Sequence, residues 1–533
     1  MYHIERTNRR TKSSLTLFAG ILLGIATIFS ACEEEDFESK NIALQQVVQA
    51  VGGAQVLEQI THMAYQAEGQ FIEPHQEGEE IQSYDHVSAT FKYKALTSLN
   101  HRQLLYEWTQ EFIYPFPYNG TSTVIIDDQN GSIEGAHGLG SRFFGFDAAA
   151  ALYSSRLEAI LKTEIMSNPL ELIKALQNEP KQSSLDQSFS LSQGADLPEI
   201  KVHIDEETLL PTHASTVEAD FLLGNVTFEV RYSDWKKVEK SVYYPTQLDY
   251  YLGDDLIRTE TLSEVSTNPS IDSETFVPHA EGSYDEEQGR YGILSSQWYH
   301  RMFSFGFSQD LPMDEVQISE VGANVHLISG GAELAYVVLA VETENGIVLI
   351  EPALNPRRSQ AVADKIKATF PNQEIIAVAA THHHMDHFGG FSYFAEQGAD
   401  LYIGASAIPF IEEVLSADHS LMGLDLQDIM IHGISQASSI EGAFQALPLQ
   451  TPHTEDMLVF YFDAIKALYV GDIFNAGLYY GYDYYSEGTQ DILRERAQLL
   501  RDFIAEQGIE VETLLTVHGG STNIEELHML ADR

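Results

Sequence analysis

THHHMDHFGG, residues 381–390, places four histidines and one aspartate in a short segment, called the His loop below. The preceding residues 374–380, EIIAVAA, are apolar and predict a buried strand. A short helix is predicted from Gly390 to about Gln397. Because α/β proteins place polar groups over a pocket at such strand ends, the segment predicts a functional site in a fold of mixed strands and helices.

The His loop has the composition of a metal site. Its residues His382, His384, Asp386 and His387 fit the pattern H-x-H-x-D-H. Alternate residues cannot all ligate one ion from a regular helix, whereas from a loop they can surround two neighbouring ions. Imidazole and carboxylate ligands suit divalent transition metals, so zinc is the first choice, with iron or manganese as alternatives.

Three further candidate ligands follow, each near a predicted strand end: His453 in TPHTED, Asp472 in LYVGDIFN and His518 in LLTVHGG. This ordered series resembles the metallo-β-lactamase fold superfamily of metal-dependent hydrolases, over roughly residues 315–533. The resemblance implies a C-terminal αββα sandwich and two divalent metal ions. It implies that one ion is held by His382, His384 and His453, that the other is held by Asp386, His387 and His518, and that Asp472 bridges both.

The resemblance also implies the chemistry. Two metal ions generate a bridging hydroxide that attacks an electrophilic carbonyl carbon or phosphorus. Asp386 is expected to be catalytic as well as a ligand, by orienting the nucleophile and carrying its proton. Relatives with a bridging aspartate such as Asp472 are glyoxalase II-like, lactonase-like or phosphodiesterase-like, whereas true β-lactamases usually lack it.

Ester, lactone and thioester bonds are therefore the leading small-molecule substrates. Phosphodiesters and β-lactam-like amides are the alternatives within the enzyme class. A catalytically silent metal-binding surface lipoprotein is the alternative outside it.

Other residues near the candidate ligands have less specific roles. His383 is expected to point away from the metals, in a supporting or a surface role. Glu351 ends the strand GIVLIE, where many relatives carry an aspartate that supports the metal loop. Tyr479, Tyr480 and Tyr482 follow Asp472 and are candidates for the wall of the substrate pocket, although ordinary packing also explains such aromatic residues.

The pattern along the chain predicts an α/β protein in which a β-rich accessory domain precedes the hydrolase domain. The predicted segments are a lipoprotein signal peptide at 1–31, an acidic tether at 32–40, the accessory domain at 41–277, a linker at 278–312 and the hydrolase domain at 313–533. In the accessory domain, stretches such as STVIIDDQNGSIEG (122–135) alternate and are expected to turn at Asn–Gly. Helices are predicted at 41–60 and 148–177. In the hydrolase domain they are predicted at 359–370 and 491–507.

The N-terminus predicts export. Basic residues precede a mostly apolar run, Leu15–Phe29, and Ser30 and Ala31 lead directly into Cys32, the only cysteine of the chain. This arrangement resembles a bacterial lipoprotein signal, which implies that Cys32 is lipidated and becomes the new N-terminus. The alternative is an unmodified cysteine after an anchor that is not cleaved. The acidic residues 33–38 are either a simple tether or a signal for the outer cell surface, so the predicted location is the outer membrane, exposed on the cell surface.

The charge of the chain excludes one class of partner. With 30 Lys and Arg against 79 Asp and Glu, the net charge is −49. Such a charge repels phosphate backbones, so no nucleic-acid partner is expected. The membrane is expected to be contacted through the lipid anchor only, and the oligomeric state is left open. An acid-rich proteome is the favoured explanation of this composition, and the acidity says nothing about the catalytic step.

Overall fold

The computed structural model describes residues 2–3, 42–73, 86–99, 101–113, 117–135, 149–179, 187–239, 242–294, 316–330, 336–352, 354–426 and 429–533. Cys32, the acidic tether and most of the predicted signal peptide lie outside these residues. Tyr2–His3 form a short strand beside Met430–Ile434. No helix in the described part of the chain has both the length and the apolar character needed to cross a bilayer.

The accessory region is built on one antiparallel sheet of 12 strands. In spatial order the strands are Ala150–Ala151, Asn130–Gly135, Tyr118–Asp127, Gln103–Phe112, Val87–Ser98, His62–Ile72, Asp255–Thr267, Gln247–Leu252, Gly224–Ser233, Pro211–Asp220, Ile200–Ile204 and Ser188–Leu191. Alternate side chains such as Tyr65, Tyr93 and Trp108 are buried, so one face of the sheet forms the core. Lys236–Val238 and Val242–Tyr244 form a separate two-stranded ribbon. The β-rich prediction is confirmed.

Two pairs of helices cover the buried face of this sheet and share its apolar core. The helices are Leu44–Val51, Ala54–Gln59, Ser154–Ser167 and Pro169–Asn178. The first pair is interrupted at Gly52 and Gly53, whose φ angles of 143° and 93° other residues rarely adopt. The second pair is divided at Asn168, whose side chain accepts a hydrogen bond from the Glu171 backbone N–H. Both helical predictions are therefore confirmed.

The hairpin at residues 118–135 turns two residues earlier than predicted. Asp127 pairs with Asn130, so the turn is Asp128–Gln129 and the Asn–Gly dipeptide begins the second strand. Asp128 has a φ of 55°. A two-residue hairpin turn needs this left-handed conformation, and aspartate tolerates it better than most residues.

Part of the segment predicted to be a linker is folded. Glu286–Leu294 is a helix that packs against Ser154–Ser167, and Lys162 Nζ donates to Ile293 O at 2.9 Å. A Cβ atom on Gly292 would lie 1.9 Å from Ser155 O, so the close approach of the two helices requires glycine. Residues 295–315 lie outside the described part of the chain, and the domain boundaries stay predictions.

The C-terminal region contains two further sheets. The first has the order Met430–Ile434, Asp400–Gly404, Ile375–Ala379, Ile347–Ile350, Val338–Glu342, Val325–Ser329 and Gln317–Gly322. The second has the order Ser438–Ile440, Phe444–Pro448, Leu458–Phe462, Ala467–Val470, Thr513–Thr516 and Gly520–Asn523. The first four strands of the first sheet are parallel to one another, and so are Ala467–Val470 and Thr513–Thr516 in the second.

The two sheets pack face to face and are covered by helices on their outer sides. Their inner faces share one apolar core that includes Leu339, Ile350, Phe460 and Leu515. The outer face of the first sheet is covered by Pro356–Thr369, Phe391–Glu396 and Ile408–Ser416. The outer face of the second is covered by Glu487–Gln507 and Ile524–Ala531. The layers are therefore helix, sheet, sheet and helix, as predicted.

Two helices of this region begin earlier than predicted because polar residues cap them, whereas the helix predicted from Gly390 is Phe391–Glu396. Asn355 accepts a hydrogen bond from the Arg358 N–H, so the first helix begins at Pro356 rather than Ser359. Ser486 caps the long helix in the same way, so it begins at Glu487 rather than Asp491.

The accessory sheet contacts the C-terminal region through the strand ends at Asn225 and Pro117. The backbone N–H of Asn225 donates to Asp418 O, and its side chain accepts from the Leu421 N–H at 3.2 Å. Thr489, at the start of the long helix, donates through Oγ1 to Pro117 O at 3.1 Å. These strand ends of the accessory sheet therefore contact the outer helical layers of the C-terminal region.

Candidate metal centre

The His loop follows the strand Ile375–Ala379 and contains the short helix Met385–Phe388. Gly389 and Gly390 let this loop lie directly on residues 352–359. A Cβ atom on Gly390 would lie 2.3 Å from Pro352 O, and one on Gly389 would lie 2.1 Å from Leu354 O. The loop therefore packs closely against the segment that follows the strand Ile347–Ile350.

The first group of candidate ligands consists of His382, His384 and His453, which are all buried. Their ligand atoms lie within 4.8 Å of one another, and Nε2 of His382 is 3.2 Å from Nε2 of His453. Burial, the largest cause, lowers the pKa of all three imidazoles, and neighbouring rings lower those of His382 and His384 further. The rings are thus neutral, which is the form that binds a metal.

The second group consists of Asp386, His387, Asp472 and His518, whose ligand atoms also lie within 4.8 Å of one another. His387 Nε2 is 3.5 Å from Asp386 Oδ2 and 3.2 Å from Asp472 Oδ1. Burial lowers the pKa of His387, but the carboxylates of Asp386, Asp472 and Glu351 outweigh it and hold this pKa well above its usual value. The surplus of negative charge favours a cation at this point.

Asp472 lies between the two groups. Its Oδ1 is 3.2 Å from His387 Nε2 and 3.3 Å from His518 Nε2, and its Oδ2 is 3.5 Å from His453 Nε2. One carboxylate therefore faces both groups with different oxygens. The seven predicted ligands converge in the two sets that the resemblance implies.

The donor set fits a pair of divalent metal ions. His387 Nε2 and Asp472 Oδ1 are buried, and neither has a hydrogen-bond partner of acceptable geometry among the described residues. Buried polar atoms without such partners are costly, and ligation of a cation would satisfy both. Nitrogen and carboxylate oxygen ligands suit zinc, iron and manganese alike.

Glu351 supports the His loop, as the resemblance implies for its position. Its Oε1 accepts from the Thr381 N–H at 2.8 Å, and its Oε2 lies 2.9 Å from His387 Nδ1. A proton on Nδ1 leaves the lone pair of His387 Nε2 directed at the candidate metal position.

His383 points away from the candidate metals, as predicted, but it is not on the surface. Its Nδ1 lies 2.9 Å from Asp456 Oδ1, and both side chains are buried. The ring also lies edge-on to Phe410. His383 thus joins the His loop to the loop that carries His453, which makes its role a supporting one.

Two residues at the centre were missed by the sequence analysis. Tyr336 donates a hydrogen bond through its hydroxyl to Asp386 Oδ2 at 2.9 Å. Arg496 donates through Nη1 to Asp472 O at 3.0 Å, and its Nη2 lies 3.3 Å from His453 Nδ1. Nothing in the local sequence marks Tyr336. Arg496 had one signal, because it adjoins the apolar stripe of the long helix.

Two of the three tyrosines proposed for the pocket wall, Tyr479 and Tyr482, contact the C-terminal residue Arg533. Tyr482 donates through its hydroxyl to Gln490 O at 3.1 Å, and the Arg533 guanidinium lies 4.7 Å from the Tyr479 ring centre. Tyr480 is 73% exposed. These contacts are those of packing and surface residues, and a role in substrate binding stays a prediction.

Residues 330–518 match the protein family described as the metallo-beta-lactamase superfamily. Similar solved structures include a metallo-beta-lactamase from Hirschia baltica (18% identity, 41% of this chain and 96% of that chain, TM-score 0.32) and FIM-1 from Pseudomonas aeruginosa (16%, 42% and 96%, TM-score 0.33). A third is a metallo-beta-lactamase from Pontibacter korlensis (18%, 41% and 98%, TM-score 0.31). No curated protein matches this chain. The family match and the two convergent ligand groups identify residues 330–518 as a metallo-beta-lactamase superfamily domain.

Proposed function

We propose that the protein is a dinuclear-metal hydrolase that cleaves an ester, lactone or thioester bond. The position of the Asp472 carboxylate carries this proposal, because its two oxygens face different groups of candidate ligands. A single-ion site does not need a carboxylate in that position.

The ligands divide into two sets. His382, His384 and His453 would hold one ion, Asp386, His387 and His518 the other, and Asp472 both. Two bound divalent cations, zinc first among the candidates, supply Lewis acidity and a hydroxide nucleophile at neutral pH. Asp386 lies at the edge of this centre with its side chain 14% exposed, and is the residue proposed to accept and return a proton.

The preference for esters, lactones and thioesters rests on the bridging aspartate. Superfamily members that have a bridging aspartate act on esters, lactones, thioesters or phosphodiesters. Phosphodiesters are therefore the second candidate, and β-lactam-like amides are the third. No serine or cysteine nucleophile is required, because bound divalent cations would supply the hydroxide that attacks. The only cysteine, Cys32, is assigned to the lipid anchor.

We also propose that the protein is a lipoprotein of the outer membrane, exposed on the cell surface and anchored through Cys32. The substrate would then be a small molecule met outside the cell. The net charge of −49 supports a partner other than nucleic acid.

The test is a hydrolysis screen of zinc-loaded, iron-loaded and manganese-loaded protein against simple esters, lactones, thioesters, phosphodiesters and β-lactams. Turnover should be greatest within the first three classes and should disappear with a chelator or with His384→Ala. The matched control is His432→Ala, because His432 pairs with Asp400 at 2.8 Å outside the ligand groups. Protein that binds two ions and hydrolyses nothing in the screen would favour the silent metal-binding alternative.

A further inference from the structure

Tyr336 contacts the second ligand group through its hydroxyl. The phenol donates a hydrogen bond to Asp386 Oδ2 at 2.9 Å, and the same oxygen lies 3.5 Å from His387 Nε2. The hydroxyl is thus bound to the carboxylate oxygen that faces the candidate ligand atom of His387. A hydrogen bond at this oxygen fixes the rotation of the carboxylate and withdraws negative charge from it.

The ring of Tyr336 contacts a second member of the same group. It lies edge-on to the His518 ring, with 4.5 Å between centroids and 70° between planes. The backbones of Tyr336 and His518 also form an isolated β-bridge. The ring also lies edge-on to that of His387, with 6.5 Å between centroids, so Tyr336 contacts three of the four residues in the second group. Among the described residues, the hydrogen bond and ring contacts of Tyr336 with the centre are all to this group.

A buried arginine fixes the backbone position of Tyr336. Arg358, which is fully buried, donates through Nη2 to Tyr336 O at 2.7 Å and to Gly330 O at 3.2 Å. Tyr336 itself is 1% exposed, so its side chain is closed off from a substrate in solution. A residue placed in this way acts on the site through its neighbours.

We propose that Tyr336 is a positioning residue for the second metal ion. It holds Asp386 and His518 in the arrangement that binds this ion and leaves the ion of His382, His384 and His453 unaffected. The inference rests on the proposed dinuclear function. It predicts that loss of the Tyr336 hydroxyl weakens the binding of one ion selectively. Substitution of a residue that only fills the core would weaken the binding of both ions or of neither.

Tyr336→Phe tests this, because it removes the hydroxyl and keeps the ring. Tyr469→Phe is the matched control: Tyr469 is equally buried in the same core, and its hydroxyl donates to a backbone oxygen, Val337 O, at 2.8 Å. Both variants lose one buried hydroxyl, but only one of these hydroxyls contacts a candidate ligand. Thermal unfolding of the metal-free variants establishes that both are folded.

The readout is a titration with Co²⁺ followed by its d–d absorption, which resolves the two binding steps, with metal analysis of Zn²⁺-loaded samples alongside. Loss of a residue that supports a ligand typically weakens metal binding about 10–100-fold. Tyr336→Phe should weaken the second step by this factor and leave the first unchanged, while Tyr469→Phe should match wild type. Equal weakening of both steps, or an unchanged titration, would overturn the inference.

The titration is independent of turnover. Wild-type protein that binds two ions but hydrolyses no substrate refutes the proposed function and leaves the role of Tyr336 intact. An unchanged Tyr336→Phe titration beside an active wild type refutes only the role of Tyr336. Wild-type protein that binds a single ion refutes both.

Discussion

Glu351 holds His387 and the start of the His loop with one carboxylate: Oε2 lies 2.9 Å from His387 Nδ1, and Oε1 accepts from the Thr381 N–H at 2.8 Å. The residue reaches both partners from a left-handed backbone conformation, with a φ of 67°. For a non-glycine residue this conformation costs about 1–2 kcal/mol. The two buried hydrogen bonds offset that cost, and they set the direction of the ring that belongs to the second ligand group.

Glu351→Gln should weaken binding of the second metal ion about 10–100-fold. A glutamine side chain can accept a hydrogen bond from the Thr381 N–H, but its other end is an NH₂ group and cannot accept from His387 Nδ1. The imidazole then loses the partner that fixes its tautomer. Titration with Zn²⁺ and metal analysis measure the effect.

The control for this substitution is Glu342→Gln. Glu342 Oε1 lies 2.9 Å from His326 Nε2, so the same chemical change is made at a histidine–glutamate pair outside the ligand groups. Glu342→Gln should bind both ions as wild type does. Equal affinities in the two variants would show that the Glu351 carboxylate does not tune His387.

Asp456→Asn should destabilise the fold by roughly 1–3 kcal/mol, the usual cost of disturbing a buried hydrogen-bonded polar pair. Asp456 and His383 are both buried, and the Thr454 hydroxyl also donates to Asp456 Oδ1. Denaturant unfolding of the metal-free protein measures the change. Asp400→Asn is the matched control. Asp400 also pairs with a histidine, His432, but its side chain is 42% exposed. Exposed pairs of this kind contribute at most about 1 kcal/mol. Similar losses in the two variants would contradict a special role for Asp456.

The four ligands of the His loop could be predicted because their motif is local, whereas the division of all seven ligands into two groups came from the family resemblance. The His loop follows a strand of clear apolar character, and each later ligand lies near a strand end. The strand Gly520–Asn523 was not predicted, because GSTN has no apolar alternation and is paired only through its backbone with Thr513–Thr516. The helix Ile524–Ala531, which directly follows this strand, was not predicted either.

The residues that were missed act over long separations in the chain. Tyr336 reaches Asp386 across 50 positions, and Arg496 reaches His453 across 43. No local pattern encodes such contacts, because the packing of the two sheets and their helices decides them. The sequence left the role of His383 open between support and surface for the same reason: its partner Asp456 comes from a different loop, so its burial was not visible in the sequence.

The accessory region should become less stable as the pH rises from about 4.5 to 8. Burial raises the pKa of Glu171 to about 8, and it also raises the pKa of Glu164. In this interval the folded chain keeps a proton on Glu171 that the unfolded chain has released, so rising pH favours the unfolded state. Glu171→Gln should reduce this slope in denaturant unfolding measured at several pH values. The exposed residue Glu199 provides the control Glu199→Gln, and equal slopes in both variants would refute the assignment.

Cys32→Ala should release the protein from membranes or misdirect it. The multiple acyl chains of a bacterial lipoprotein bind a bilayer firmly, and the substitution removes the atom to which they are attached. Fractionation of cells that express each form, followed by detection of the chain in membrane and soluble fractions, provides the measurement. Wild-type and variant protein that are equally soluble would refute the lipid anchor and leave the metal centre unaffected.

Asp386→Asn should lower the rate of hydrolysis about 10²–10⁴-fold, or roughly 3–5 kcal/mol of activation free energy, even when two ions are bound. Asparagine keeps an oxygen of similar position that can ligate and can accept the hydrogen bond from Tyr336. It loses the negative charge and the capacity to take a proton.

The competing explanation is that Asp386 only holds metal, and excess zinc would then restore the activity of the variant. Metal analysis on the same samples as the rate measurements separates the two explanations. Asp364→Asn, on an exposed position of the helix Pro356–Thr369, controls for the loss of one negative charge and should retain full activity. A fully loaded and fully active Asp386→Asn variant would mean that another group carries the proton.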